Sequence, residues 1–169
     1  SATIASEKLS VTYSGSTAKG DDYTAGDDFK PAGRAFIVDG RSIQNSTKWL
    51  AGDEVGSTMY KSTNQSLAFA LRHDDHLVEL KLGTQDIPYQ GFPNQRMDMT
   101  ANDSSQVNLR YTGQYAWGKL EARAYNEHTR HKMNFMEDKA FWYQTWAPGM
   151  PMDTEGRNTG AVVKGDILL

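Results

Sequence analysis

A chain of 169 residues with a net charge of -3 has room for one domain and carries no basic surplus of the kind that holds nucleic acid. It has no cysteine, which excludes a disulfide framework and a thiolate metal site. A mean hydropathy of -0.66 and the lack of any apolar run near ~18 residues exclude transmembrane helices, while an aromatic content of 11% argues against disorder.

Helical periodicity is weak throughout, and period-two alternation is frequent. The first predicted strand covers 7–16, with Leu9, Val11 and Tyr13 on one face and Ser10, Thr12 and Ser14 on the other. Residues 20–59 form a long polar stretch with a short strand candidate at 34–38. A connection of this length is usually functional or partly disordered, and 34–50 has no assigned role. The second strand, 62–73, sets Leu67, Phe69 and Leu71 against Ala68, Ala70 and Arg72. The third, 76–85, sets Val78, Leu80 and Leu82 against Glu79 and Lys81. Only Asp74 and Asp75 separate these two, so they read as a hairpin.

Residues 86–100 contain Pro88 and Pro93 and show no hydrophobic period, which predicts a long loop held out from the sheet. The fourth strand, 105–115, places Val107, Leu109 and Tyr111 opposite Asn108, Arg110 and Thr112. After a short turn at 116–118 the fifth strand runs from 119 to as far as 136. Leu120, Ala122 and Ala124 alternate there with Glu121, Arg123 and Tyr125. The irregular stretch 137–156 carries Phe141, Trp142, Tyr143 and Trp146, and the last strand, 158–169, sets Ala161, Val163 and Ile167 against Lys164 and Asp166.

As an antiparallel up-and-down meander of about six strands, this all-β chain alternates long and short connections. All short turns then fall at one end and all long loops at the other, as in outer-membrane barrels. The face opposite the apolar one carries Glu79, Lys81, Arg110, Glu121, Arg123, Lys164 and Asp166, a composition suited to a wet lumen. Tyr115 and Trp117 at a short turn suit an interfacial aromatic girdle. The prediction is one partial domain, 1–169, of a transmembrane β-barrel. A soluble antiparallel sheet with one solvated face gives the same alternation, and the sorting of the loops favours the barrel.

His131 and Met133 are the sharpest chemical candidates. Two residues apart on the fifth strand, they would point together into the lumen near its outer end. A thioether beside an imidazole suits copper. Of the seven methionines, all but Met59 fall between Met97 and Met152. They read as soft-metal capture or as an adaptable packing surface. Tyr89, Gln95 and Arg96 read as ligand contacts or as loop anchors. Trp142 and Trp146 read as part of a docking surface or of a loop core. His73 and His76 read as a polar turn, and His128 points away from His131. No nucleophile, phosphate-loop or acid–base motif is present, so the prediction is a protein that is not an enzyme.

Residues 86–99, 129–138 and 150–159 resemble early outer loops of TonB-dependent outer-membrane receptors. The resemblance implies a barrel of about 22 strands in the bacterial outer membrane, surrounded by lipid. It implies an N-terminal plug on which TonB pulls, and import of a ferric siderophore, haem, cobalamin or another metal complex. Copper receptors of that family use a His-x-Met pair completed by the plug. The chain departs from the pattern: it has no plug, no TonB box and about six strands, and it starts at Ser1, as a processed or partial chain does. It therefore reads as a segment of the early barrel whose outer loops recognise copper or a ferric siderophore, with TonB acting only through the missing plug. The other readings are a soluble β binding or structural module, and an excised or engineered barrel segment without activity of its own. The sequence leaves the ligand open, and also whether the sheet closes or pairs its edges with another copy.

Overall fold

The computed structural model describes residues 1–33, 35–38, 41–44, 49–95, 97–134 and 151–167. Its main sheet is an antiparallel meander of β1 (Ala2–Ala5), β2 (Leu9–Gly20), β7 (Tyr60–His73), β8 (His76–Gln90), β9 (Asp98–Tyr115), β10 (Gly118–Asn134) and β11 (Met152–Ile167), in that spatial order. Between β2 and β7 lie two small pairs, β3 (Tyr23–Thr24) with β6 (Glu54–Val55) and β4 (Ala35–Val38) with β5 (Arg41–Gln44). No helix occurs among the described residues, and none is long and apolar enough to cross a membrane. The chain is thus all-β and up-and-down, with seven strands in the meander where alternation predicted six.

The register explains the alternation. Cross-strand partners share a face, and Ile4, Val11, Phe69, Leu80, Leu109, Ala124 and Ala161 form one continuous row across all seven strands. The next row on one side is Leu9, Leu71, Val78, Tyr111, Ala122 and Val163. On the other side Tyr13, Leu67, Leu82 and Val107 continue the apolar surface. This outer face is uncovered: Ile4 is 82% and Val163 is 73% exposed, and Leu71, Leu109 and Ile167 are exposed as well.

The opposite, inner face is charged at the same height. Arg110 lies between Glu121 (3.1 Å) and Glu79 (3.6 Å), and Arg123 donates to Asn108 Oδ1 at 3.1 Å. Carboxylates and guanidinium groups on neighbouring strands thus satisfy one another in the predicted wet interior.

The connections sort by end. Residues 6–8, 74–75 and 116–117 make the short turns, whereas 21–59, 91–97 and 135–151 join strands at the other end. Asp74 takes a positive φ of 51°, which an aspartate tolerates, and Gly118 takes 142°, where a side chain would run into the Asp166 carbonyl. An aromatic cluster stands beside these turns. Tyr115 stacks on Trp117 with centroids 5.2 Å apart, and His76 bonds Tyr111 at 2.7 Å and meets the Tyr115 ring edge-on. His76 belongs to this aromatic cluster as well as to the turn.

Above the Tyr13–Val107 row the strands continue while both faces become polar. This corrects the long-loop reading of 86–100: β8 runs to Gln90, β9 starts at Asp98, and only 91–97 is loop. Pro88 sits where the register between β7 and β8 slips by one residue, a bulge that accommodates its missing N–H. A second bulge, at Thr100, shifts β9 against β10.

Among the described residues the buried side chains gather at this loop end, not under the sheet. Leu50 and Met99 are the buried large apolar side chains among the described residues, and Asp98 (0% exposed) and Ser57 (1%) are buried polar ones. The Asp98 carboxylate accepts from the Ser57 hydroxyl and from the Phe92 N–H, both at 2.8 Å. The Gly91 N–H donates to the Met59 carbonyl at 2.8 Å, and a Cβ on Gly91 would lie 2.2 Å from the Ser57 carbonyl. Asp22 accepts from the Thr58 and Met59 N–H groups at 2.7 and 2.9 Å. These bonds clasp loop 91–97 to the end of the long 21–59 connection.

Candidate metal site

β10 and β11 stay in unbroken register from Gly118↔Ile167 to Met133↔Met152. Period two therefore carries His131 and Met133 onto the inner face, as the sequence predicts, and puts Met152 beside Met133. The bulge at Thr100 places Met99 opposite Met133 in place of the next residue in simple alternation. Because β8 carries its own bulge, Gln90 and Tyr60 enter the same line. A single inner-face row thus reads Tyr60, Gln90, Met99, Met133, Met152 across five strands.

Neighbouring strands lie ~4.8 Å apart, so three thioethers stand side by side with His131 one inner-face position below. Met99 is 5% exposed, and Met133 and Met152 are half-buried. A thioether is a neutral, polarisable donor, and imidazole is a borderline one. Such a set suits a soft monovalent ion better than a hard trivalent one. Among the described residues no cluster of three or more His, Asp or Glu side chains offers a hard-ligand site.

His131 is held in place. Its Nδ1 lies 3.0 Å from Asn102 Oδ1, and the Thr154 hydroxyl donates to its backbone carbonyl at 3.2 Å. The amide of Asn102 continues a line of hydrogen bonds to Gln85 and Asn64 on the next two strands. His128 turns to the outer face and pairs with Glu155 at 2.9 Å, away from His131 as predicted. There it joins a charged ladder with Arg130, Asp153 and Arg157. The Arg130 guanidinium bonds Asp153 and holds its carboxyl below the usual range, and His128, with Arg157 second, does the same for Glu155.

The other predicted contacts separate from this row. Tyr89 pairs with Lys61 and takes the outer face. Gln95 is exposed at a turn whose N–H bonds the Phe92 carbonyl. Arg96, Trp142 and Trp146 lie outside the described residues, as do Phe141, Tyr143, Met136 and Met150. Sequence reasoning missed Met99 as a neighbour of Met133, because a bulge leaves no period to read. It also missed Asn102, whose contact with His131 appears only once four strands are in register.

No family model matches the chain, and no curated protein matches it. Among solved structures the chain is similar to the copper transporter OprC, with a TM-score of 0.68 and 20% sequence identity. The match covers 95% of this chain and 22% of that one, so the chain spans about a fifth of the transporter's length. At this identity the likeness concerns the fold alone, a run of antiparallel strands.

Proposed function

We propose that the chain forms part of a transporter barrel of the bacterial outer membrane and captures cuprous ion at its outer end. The row Met99, Met133 and Met152 with His131 carries this reading: four soft or borderline donors on three adjacent strands, all on the inner face. The likeness to a copper transporter supports the same cargo. A ferric siderophore presents a hard, oxygen-ligated ion and gains nothing from thioethers.

The uncovered apolar face supports the membrane. Five outer-face rows, from Ile167 up to Val107, span ~27 Å along a strand, or ~20 Å along the normal at the usual tilt, close to the apolar band of such barrels. A soluble module would need a second layer over Ile4, Leu71, Leu109 and Val163, and none covers them among the described residues. Import past the captured ion would draw on a plug domain and on TonB, and that coupling belongs to the same proposal.

The test is a cuprous titration of the full chain in detergent against a competing colorimetric chelator. Met133→Leu and His131→Ala should each weaken binding about tenfold or more, ~1.4 kcal/mol, because Leu fills the Met volume without the sulfur. Unchanged affinity in both variants would remove the site.

A further inference from the structure

The hydrogen bonds beside the methionine row run in one direction. Gln85 Nε2–H donates to Asn64 Oδ1 at 2.8 Å, and Asn102 Nδ2–H donates to Gln85 Oε1 at 3.1 Å. Each amide commits its nitrogen to the strand before it. The oxygen of Asn102 is what remains for the imidazole, 3.0 Å from His131 Nδ1. A carbonyl oxygen only accepts, so the ring nitrogen facing it carries the hydrogen. A neutral imidazole protonated on Nδ1 keeps its lone pair on Nε2.

We infer that Asn102, backed by Gln85 and Asn64, is a positioning residue: it holds His131 as the Nδ1–H tautomer and presents Nε2 to the ion. The inference rests on the cuprous site proposed above. An unconstrained histidine favours the opposite tautomer, with its proton on Nε2, so the line of amides has a definite task. It removes the proton from the nitrogen that would meet the metal. Outer partners of this kind set ring orientation and tautomer at metal-binding histidines, and losing one costs about 10–100-fold in metal affinity. Here the partner is an uncharged amide chain across β7, β8 and β9, anchored by strand pairing instead of by a loop.

The experiment uses the full chain in micelles with ¹⁵N-labelled histidine, metal-free and above the histidine range, about pH 8. Nitrogen–proton couplings report the tautomer, and His131→Gln assigns its signal. The wild type should show Nδ1–H. Asn102→Ala should move the proton to Nε2 and weaken cuprous binding about 10–100-fold. Asn102→Asp loses the donor to Gln85 but keeps an acceptor oxygen toward the ring and should keep the tautomer, which a merely structural role for Asn102 does not require. An Nε2–H ring in the wild type, or no change of tautomer in Asn102→Ala, overturns the inference. A bound ion with an Nε2–H ring contradicts the positioning alone. An Nδ1–H ring in a wild type that ignores cuprous ion contradicts the metal site and, with it, the role given to Nε2.

Discussion

The two halves of the sheet obey different rules. Near the short turns, one face is apolar and uncovered while the other pairs Arg110 with Glu79 and Glu121. Near the long connections the outer face is polar, the inner face sets the methionine row among polar side chains, and the buried side chains among the described residues are Asp98, Ser57, Met99 and Leu50. Among the described residues the lower half has no core of its own; its apolar surface faces outward. The upper half is tied by side-chain bonds between loops. The same strands run through both, so backbone pairing is continuous while the surroundings change.

One charge placed in each half should separate the two most strongly. Val78→Arg, in the middle of the five outer-face rows, should cost about 2–4 kcal/mol in unfolding from vesicles, and Thr84→Arg, three rows higher, about 0–1 kcal/mol. Equal costs at the two positions would mean that no apolar medium covers the lower face.

Smaller effects are expected at the clasp. Asp98→Ala leaves the Ser57 hydroxyl and the Phe92 N–H without this acceptor. It should destabilise the loop end by about 1–3 kcal/mol, read as faster amide exchange at Phe92 with the amides of Leu80 and Leu109 unchanged. If exchange quickens uniformly, the two halves do not hold separately.

The smallest effect concerns acid. Asp153 and Glu155 titrate below their ordinary values because Arg130, His128 and Arg157 favour the ionised forms. Their contribution is present above the unfolded carboxylate range and fades as pH falls through the lowered folded values. Both groups are well exposed, so the loss should be slight, and local amide exchange on the upper β10–β11 pair should report it. Stabilisation of that pair by acid would reverse the sign and refute the assignment.

The contrast also explains what was legible in the sequence. Alternation appears where one face is apolar, so Leu67, Phe69 and Leu71 or Val78, Leu80 and Leu82 announce their strands and faces. It vanishes where both faces are wet, which is why the upper ends of β8 and β9 read as loop. β1 is four residues long and too short to show a period. His131 and Met133 were readable because β10 keeps its register to Met133 against β11, and the bulge at its other edge lies in β9. Met99 was not, since counting by two from Leu109 assigns it to the outer face and the bulge at Thr100 reverses that. Asn64, Gln85 and Asn102 are unremarkable polar residues until strand order and register bring them into line. The Asp98 clasp joins segments 41 residues apart through a contact no local pattern encodes.

The central claim, thioether capture of a soft ion on the inner face, meets its most direct test in X-ray absorption of the cuprous-loaded full chain. The loaded protein should show a sulfur shell that shrinks in Met133→Leu and an imidazole contribution that disappears in His131→Ala. A first shell of oxygen and nitrogen alone, unchanged in either variant, would contradict that claim.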